Sequence, residues 1–409
     1  MTVEPVDRVE PGGLVGAVVE VEVGPVAHGG HCVARHEGQV VFVRHALPGE
    51  RVRALITEGA EGARFLRAEA VEVLVASPDR VEPRCPHARP GGCGGCDFQH
   101  VTLAAQRRLK AAVVVEQLHR LAKVDVEVEV EAVPGDEDGL GWRTRTRLAV
   151  DAEGRAGLRR HRSHDVVALG ACPIAHPLVN DSGIFDRTWP GITELQVAVS
   201  VTSGEQILLA DGTPSGRARL TERAAGRDWR VSGAGFWQVH PGAAEVLVEA
   251  VRSALEPRAG EHLLDLYAGV GLFAGALAKD LGPEGRIDAV ESDESALRDA
   301  RRNLHDRATV RLSHGRVDGW LRTSSPQSCD LVVLDPPRSG GGKGVVELLA
   351  RRRPRAIAYV ACDPAALARD VGTFMGLGYE LTGLRAFDLF PMTHHVECVA
   401  VLRPRAESS

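Results

Sequence analysis

The sequence of 409 residues has few aromatic residues, 4% of the total, and its lysines are confined to Lys110, Lys123, Lys279 and Lys343. It has no apolar run approaching the roughly 18 residues that a membrane-spanning helix needs. Its first residues, MTVEPVDRVEPGGLVG, lack the basic and apolar regions of a signal peptide. These absences predict a cytoplasmic protein without a membrane partner.

The sequence also lacks an overall positive charge, since its formal net charge is −6. The net charge therefore gives no general indication of a polyanionic partner, but a local basic patch is still possible. Residues 141–162 are rich in arginine: Arg143, Arg145 and Arg147 alternate on a strand-like run, so we expect them on one face, with Arg160 close behind. This set is the best candidate for contacts with nucleic-acid phosphates, although any one of these arginines could simply be solvated.

The chain is longer than one hydrophobic core usually organises, so we expect a multidomain α/β protein. Short alternating runs predict a small antiparallel β-barrel within residues 1–75. Residues 76–235 predict a central, mostly β region, with a helix at about 101–123 that could pack on the next domain. In residues 236–409 strands alternate with helices, which predicts a doubly wound domain with a largely parallel sheet and a closing hairpin. Nothing in the sequence demands more than a monomer.

The stretch LLDLYAGVGLFAGAL predicts a strand, a glycine-rich loop and a helix. Gly269 and Gly271 would let the backbone approach a ligand closely. Glu291 ends the next strand, where it could accept hydrogen bonds from a ribose diol. The loop also fits a dinucleotide pattern, but the acidic Asp265 that precedes it does not favour a pyrophosphate. The Asp335-Pro-Pro that ends the fourth strand resembles the substrate-base motif of nucleic-acid methyltransferases, which favours S-adenosylmethionine.

A cysteine ends the fifth strand, in AIAYVACDPAALARD. A free cysteine is most often a buried core residue, and for Cys362 taken alone that interpretation is the safer one. The helix predicted to begin at Pro364 would help to activate the thiol if it were a nucleophile. Further on, Glu397 lies in HHVECVAVL, and Cys398 beside it should point to the opposite face of its strand, into the core.

Four motifs, DLYAGVGLF, LDPPRSG, YVACDPAALARD and HHVECVAVL, occur in the order found in the RNA 5-methyluridine methyltransferases. The chain resembles that family over nearly its whole length. The resemblance implies a class I, Rossmann-like methyltransferase domain in which Cys362 is the nucleophile and Glu397 the base. It places contacts with S-adenosylmethionine at Gln238, Tyr267, Glu291 and Asp335, beside the loop glycines Gly269 and Gly271. His240 stands where the family commonly has asparagine, and we expect it to adjust the packing of its loop.

The resemblance also explains why a thiol and a carboxylate are both needed. C5 of uracil is a weak nucleophile until a thiolate adds to C6, and a base must then remove the C5 proton. RNA cytosine-C5 methyltransferases, the nearest alternative, carry a second cysteine at the fourth-strand motif, where this chain has Asp335. We therefore expect a uridine in structured RNA, flipped out of its stack. By resemblance alone, the N-terminal barrel and the cysteine cluster slightly favour 23S ribosomal RNA over transfer RNA.

The remaining cysteine pattern, C-x7-C-x2-C, comprises Cys85, Cys93 and Cys96, and Cys172 could supply a fourth thiolate. Four thiolates suit zinc or an iron–sulfur cluster. The family resemblance implies a [4Fe-4S] cluster, with zinc as the lower-ranked alternative. It also implies that the N-terminal barrel is a TRAM domain, an OB-like barrel that binds RNA.

Two other classes of function compete with an RNA methyltransferase. A non-catalytic RNA-binding or assembly protein would keep the barrel and the cysteines, but the intact Asp335, Cys362 and Glu397 argue against it. A nicotinamide or iron–sulfur oxidoreductase would transfer electrons and be indifferent to S-adenosylmethionine.

Overall fold

The computed structural model describes residues 14–216, 218–323 and 326–406. These residues form two compact units. Unit 1 contains the described residues up to 109, with the excursion 159–167 and the short segment 392–394, and unit 2 contains the remainder. The division into three domains at 1–75, 76–235 and 236–409 stays a prediction.

Unit 1 contains a closed five-stranded barrel, which confirms the predicted N-terminal barrel. In its first strand Val19, Val21 and Val23 are buried and the residues between them are exposed, as expected for a strand with one face in a core. The strand order is β1-β2-β3-β5-β4, and the β3–β5 pair is parallel rather than antiparallel. The strands are β1 (Val18–Val26), β2 (Cys32–His36), β3 (Gln39–Arg44), β4 (Arg51–Glu58) and β5 (Leu66–Val75).

Unit 1 also anchors the chain segment 392–394 through a buried carboxylate. Asp97 accepts hydrogen bonds from Arg44 Nη2 at 3.1 Å and from His394 Nδ1 at 2.6 Å. Burial opposes the charge, but the bonds from His394 and the charge of Arg44 hold the pKa of Asp97 well below its usual range. The backbone N–H groups of Asp97 and Phe98 both donate to the carbonyl of Met392 at 2.9 Å. The segment that leads towards Glu397 is therefore held firmly at this end.

After the barrel the chain forms a long helix and a series of short strands. The helix expected at about 101–123 is α1 (Leu103–Gln117), followed by a π-helical turn (Leu118–Ala122). Strands β12, β11, β10, β7 and β8 are neighbours in that order in one sheet, and β13 and β14 form a separate hairpin. The remaining elements of this region are β6 (Val130–Ala132), β7 (Arg145–Val150), β8 (Ala156–Arg159), β9 (Val166–Ala168), α2 (Pro177–Asn180), β10 (Glu194–Val199), β11 (Gln206–Ala210), β12 (Thr213–Ser215), β13 (Arg219–Ala224) and β14 (Arg227–Ser232).

The last part of unit 2 is built on an eight-stranded sheet with the order β17-β16-β15-β18-β19-β21-β20-β6. The five strands from β17 to β19 are parallel, and β21 pairs with β19 and β20 antiparallel, so the predicted parallel sheet and closing hairpin are confirmed. Its elements are α3 (Ala243–Leu255), β15 (His262–Leu266), α4 (Leu272–Leu281), β16 (Arg286–Glu291), α5 (Glu294–Asn303), β17 (Val310–His314), α6 (Val317–Thr323), β18 (Leu331–Leu334), α7 (Gly342–Ala350), β19 (Ala356–Ala361), α8 (Pro364–Gly376), β20 (Tyr379–Asp388) and β21 (Glu397–Pro404).

The sequence of the central strands explains their position. Every residue of β18 and β19 is buried, and such continuously apolar strands need helices on both faces of the sheet. Because parallel strands end at the same edge, the loops that follow β15, β16, β18 and β19 converge there. The Gly-rich loop, Glu291, Asp335 and Cys362 occupy those loops and strand ends.

A buried ion pair between Lys110 and Asp388 holds the end of strand β20. Lys110 is 1% exposed, and its ammonium donates to the Asp388 carboxylate at 2.5 Å and to the Phe390 carbonyl at 3.0 Å. Removing the lysine alone would leave a buried carboxylate without its counter-charge.

We expect Lys110→Met to lower the free energy of unfolding by about 3–5 kcal/mol, as is usual when one partner of a buried pair is removed. Denaturant titration would measure it. Asp388→Asn in the same chain should restore part of the loss, and Arg108→Ala, at the exposed pair with Asp79, should cost less than about 1 kcal/mol. Equal losses in Lys110→Met and Arg108→Ala would contradict the assignment.

Candidate active site

A cavity of about 1170 Å³ opens at the carboxyl edge of the sheet in unit 2. Its wall combines the loops after β15, β16, β18 and β19 with the segment that follows β14. The structure therefore brings together residues that are far apart in sequence. The predicted site residues on this wall are Gln238, Tyr267, Gly269, Glu291, Asp335, Cys362 and Glu397.

The two loop glycines have different roles. Gly269 has a φ of +54° and a Cβ added there would meet nothing within 4 Å, so the backbone faces open space on the cavity wall. Gly271 has a φ of +87°, and a Cβ there would lie 2.5 Å from Leu304 Cδ1. Gly271 is thus needed for the close packing of the start of α4, and it is not among the residues that line the cavity.

Glu291 is oriented by backbone hydrogen bonds. One carboxylate oxygen accepts from the N–H of Gly269 at 2.8 Å and the other from the N–H of Asp293 at 2.6 Å. These bonds hold the carboxylate between the first and second loops, at the cavity wall. Its remaining lone pairs suit the two hydroxyl groups of a ribose.

Two carboxyl groups at the ends of neighbouring strands have raised pKa values: Asp335 lines the cavity, whereas Asp265 is fully buried and does not. Burial raises the pKa of Asp265 to about 7, although the N–H of Ala274 donates to its Oδ2 at 2.8 Å. Burial also raises the pKa of Asp335 to about 7, and the charge of Asp265 adds to that shift. Oδ1 of Asp265 has no hydrogen-bond partner among the described residues. A cationic ligand that carries both an amine and a sulfonium fits a site near these carboxyl groups, because a positive charge stabilises their ionised form.

The pairing of β19 with β21 brings the Cys362 thiol near the Glu397 carboxyl group. Ala361, the last residue of β19, pairs with Cys398 of β21, and Cys362 and Glu397 are the residues that follow Ala361 and precede Cys398. Both Cys362 and Glu397 line the cavity. Cys398 is fully buried on the other face, as predicted.

The surroundings of Cys362 keep its thiol protonated at neutral pH. Burial is the main cause that raises its pKa to about 11, and the charge of Glu397 raises it further while that of Arg338 lowers it. The helix α8 does begin at Pro364, with Asp363 as its N-cap. Burial likewise raises the pKa of Glu397 well above its usual range, and Asp335 adds to this. Activation of the thiol therefore depends on charge brought to the cavity.

Some residues of the wall were not singled out from the sequence. Phe236 is 67% exposed at the cavity, next to the buried Trp237 and the predicted Gln238. Arg338, directly after the Asp-Pro-Pro, also lines the cavity. The sequence did contain a signal for each residue: Phe236 follows Gly-Ala-Gly, and Arg338 directly follows the Asp335-Pro-Pro motif. His240 is 1% exposed and stacks on Trp142 at 6.2 Å, which agrees with the expected packing role.

The three alternating arginines predicted to bind RNA, Arg143, Arg145 and Arg147, do not form one exposed face. Arg145 is buried against Glu222, its guanidinium being 3.4 Å from that carboxylate, and it donates to the carbonyl of Gly235 at 3.0 Å. It therefore supports the loop that carries Gln238, and its assignment to RNA was wrong because strand alternation does not reveal what covers a face. Arg147 is 68% exposed beside Glu194, and Arg143 donates to the carbonyl of Arg145. Arg160 belongs to unit 1, where it lines a cavity of about 330 Å³.

The predicted metal centre is not supported. Within the described parts of the chain, no group of three or more cysteine, histidine, aspartate or glutamate side chains could hold a metal ion. Cys93 Sγ accepts a hydrogen bond from the N–H of Gly95 at 3.3 Å, and Cys96 Sγ accepts one from Gln99 at 3.6 Å. The cysteine spacing matched a ligand pattern, but spacing alone does not determine where the side chains converge. The prediction of a [4Fe-4S] cluster or zinc at Cys85, Cys93, Cys96 and Cys172 is therefore not supported.

Known families match three parts of the chain. The TRAM domain matches residues 13–71, the methyltransferase small domain matches residues 239–357, and the tRNA (uracil-5-)-methyltransferase family matches residues 316–405. A Streptomyces avermitilis protein named as an RNA methyltransferase is 51% identical, covering 96% of this chain and all of the relative. The 23S rRNA (uracil(1939)-C(5))-methyltransferase RlmD of Alkalilimnicola ehrlichii is 31% identical, covering 95% of this chain and 97% of the relative.

The chain belongs to the RNA uracil-C5 methyltransferase family. Among solved structures, the Pyrococcus abyssi tRNA (uracil-54, C5)-methyltransferase in complex with S-adenosyl-L-homocysteine matches it with a TM-score of 0.69 at 24% identity. That match covers 93% of this chain and 99% of the archaeal one, and it shows a shared fold. The methyltransferase fold of this family binds S-adenosylmethionine, and the carboxyl groups on the cavity wall fit that cation. In the described residues, no helix is long and apolar enough to span a membrane.

The glycine geometry predicts two separable variants. Gly269→Ala should weaken S-adenosylmethionine binding about tenfold or more, because its Cβ would enter open space where a ligand would lie, and should cost only the roughly 1–2 kcal/mol of a left-handed alanine in stability. Gly271→Ala should instead lower the midpoint of thermal unfolding, because its Cβ would meet Leu304. Calorimetric titration and thermal melts would measure both effects. Equal effects of the two variants on ligand affinity would contradict the assignment.

The raised pKa of Cys362, about 11, predicts slow alkylation at neutral pH. The rate of reaction with iodoacetamide should rise about tenfold per pH unit between about pH 7 and 10, because the thiolate is the reactive form. Mass spectrometry of the peptide containing Cys362 would follow the reaction. The same peptide in denaturant should react faster at neutral pH, and a plateau in the folded protein below about pH 9 would contradict the shift.

Proposed function

We propose that this protein transfers a methyl group from S-adenosylmethionine to C5 of a uridine in structured RNA, through a covalent bond between Cys362 and C6 of the base. The observation that carries the proposal is that Cys362 and Glu397, at the paired ends of β19 and β21, line the same cavity as Asp335 and Glu291. A nucleophile and a base are thus adjacent to each other and to the groups that suit the methyl donor.

The residues account for each bond that changes. The Cys362 thiolate adds to C6, and the electron pair of the C5–C6 double bond moves onto C5 and the O4 oxygen as an enolate. S-adenosylmethionine supplies the methyl group, which C5 takes. Glu397, as the carboxylate, then accepts the C5 proton, the C5–C6 double bond reforms and the thiolate is expelled. No electron donor or acceptor is needed.

Charge links ligand binding to this chemistry. Asp335, Cys362 and Glu397 all have raised pKa values, and burial is the first cause in each case. A sulfonium beside these groups favours their anionic forms because an opposite charge stabilises the ionised state. Binding of the methyl donor and ionisation of the thiol are therefore coupled, so that the nucleophile is generated when its reaction partner is present.

The proposed substrate is 23S ribosomal RNA, supported by the RlmD relative that aligns over almost the whole chain. Transfer RNA is the second candidate, supported by the tRNA (uracil-5-)-methyltransferase match over residues 316–405. The TRAM domain supports RNA binding by unit 1, where Arg160 is exposed, and Arg147 offers an exposed cation in unit 2. Uridine is preferred over cytidine because, of the described residues on the cavity wall, Cys362 is the sole thiol and the fourth strand ends in Asp335.

The proposal predicts that RNA containing 5-fluorouridine, incubated with S-adenosylmethionine, forms a complex with the protein that survives denaturing electrophoresis. Fluorine at C5 cannot leave as a proton does, so the adduct should persist, whereas Cys362→Ala should form none. Fragments of 23S ribosomal RNA and whole transfer RNA would be compared in parallel. Absence of an adduct with both RNAs would contradict the proposed function.

Glu397→Gln separates the base from the nucleophile. With ordinary uridine this variant should accumulate the covalent methylated complex and release product at least about 100-fold more slowly, because the C5 proton has no acceptor. Glu380→Gln, at an exposed position of β20, is the matched control and should behave like the unaltered protein. Normal turnover in Glu397→Gln would exclude Glu397 as the base.

A further inference from the structure

An arginine and a histidine that the mechanism above does not use meet beside the reacting groups. Arg338 Nη2 lies 3.2 Å from Nε2 of His395. The ring of His395 packs edge-on against Phe390, with centroids 5.9 Å apart and an interplanar angle of 74°. Arg338 and Phe390 line the same cavity as Cys362 and Glu397.

The chemistry of the pair defines its protonation. A guanidinium only donates hydrogen bonds, so Nε2 of His395 must be the acceptor and the proton of the neutral ring lies on Nδ1. A second proton on the ring would remove this acceptor and place two cations together. The contact with Phe390 fixes the plane of the ring, so the lone pair at Nε2 points at the arginine. His395 thus restrains a long side chain that would otherwise lose much rotamer freedom on ordering.

The groups that face Cys362 show what this arginine is needed for. Glu397 and Asp335 are acidic and oppose a negative charge on sulfur, while Arg338 favours it. Cys398 lies behind on the same sheet, and Asp363 is engaged at the N-terminus of α8, where its carboxylate accepts from Ala366 at 2.8 Å. Arg338 also favours the anionic form of Glu397 against Asp335. It is therefore the cation that acts on both the nucleophile and the base.

We propose that Arg338 is a further catalytic residue, which stabilises the Cys362 thiolate and then the uracil enolate, and that His395 is a positioning residue that holds its guanidinium in place. The part that concerns the enolate rests on the proposed function. When the sulfur–C6 bond forms, the negative charge moves from sulfur to O4 of the base. Loss of the C5 proton to Glu397 and cleavage of the sulfur–C6 bond return the electron pair to sulfur. A planar guanidinium with several N–H donors can follow this charge between two positions, which a point-charge ammonium does less well.

The first arm of the test measures ionisation of Cys362 without RNA. The rate of alkylation by iodoacetamide would be followed against pH in Arg338→Met, Arg338→Lys, His395→Phe and His395→Gln. Arg338→Met should displace the profile to higher pH by about one unit, so that the rate at a fixed pH falls about tenfold. Arg338→Lys should shift it less. Arg369→Met, at an exposed position of α8, is the matched control and should leave the profile unchanged.

The second arm measures methylation of RNA. Arg338→Met should lower kcat about 100-fold or more, as expected when a group that stabilises developing charge is removed, with little change in affinity for S-adenosylmethionine. His395→Phe should reproduce part of both defects, and His395→Gln, whose amide oxygen can accept from the guanidinium, should recover activity relative to His395→Phe. A merely structural role for His395 would not give this rescue together with a shifted alkylation profile.

The experiments distinguish failure of the role of Arg338 from failure of the proposed function. If Arg338→Met and Arg369→Met have the same alkylation profile, Arg338 does not stabilise the thiolate and the inference is overturned. If Arg338→Met raises the KM for RNA and reduces its salt dependence with kcat unchanged, Arg338 binds a phosphate, and the inference is again overturned. If the unaltered protein forms no adduct with 5-fluorouridine RNA, the proposed function fails, whereas the alkylation comparison still decides whether Arg338 stabilises the thiolate.

Discussion

The candidate chemistry depends on one strand pairing, the antiparallel register of β19 and β21. Every residue of β19 is buried, and a shift by one residue would turn each of its side chains to the other face of the sheet. Packing on both faces therefore constrains the register, which pairs Ala361 with Cys398 and brings Cys362 and Glu397 to the adjoining strand ends. The same pairing sends Cys398 into the core, so two neighbouring positions in sequence, 397 and 398, have unrelated environments. The closing hairpin thus joins the two halves of the proposed catalytic pair.

Electrostatics then determine how such a pair could work. The thiol of Cys362 and the carboxyl groups of Asp335 and Glu397 on the cavity wall would repel one another if all were ionised, and burial opposes this by raising the pKa of each. Reactivity then requires positive charge. Of the cations on the cavity wall, Arg338 is the one whose charge favours the anionic forms of both Cys362 and Glu397, and the cavity fits a cationic methyl donor. A nucleophile that is ionised only in the loaded site is also protected from alkylation and oxidation at other times.

Much of this arrangement could be predicted from the sequence, because local patterns determined it. The alternation in β1 predicted a barrel strand, and the continuous apolar runs of β18 and β19 predicted a buried parallel sheet. Gly269 and Gly271 marked the first loop, and Asp335 and Cys362 follow parallel strands, whose carboxyl ends lie at one edge of the sheet.

The predictions that failed or were not supported are those that depended on packing between distant segments. Arg145 alternates with its neighbours but is covered by Glu222, which lies 77 residues further along the chain. The four cysteines match a spacing, but the described residues form no metal site. The Arg338–His395 contact joins segments 57 residues apart and has no local signature.

The central claim is that Cys362 bonds to C6 of a uridine in RNA, and the most direct measurement is the location of that bond. Tandem mass spectrometry of the complex formed with 5-fluorouridine RNA and S-adenosylmethionine, after digestion with nuclease and protease, would identify the linked residue. We predict one cross-linked peptide, in which Cys362 carries a nucleotide whose mass includes the transferred methyl group and the retained fluorine. A nucleotide linked to another residue, or linked without the methyl group, would contradict the account.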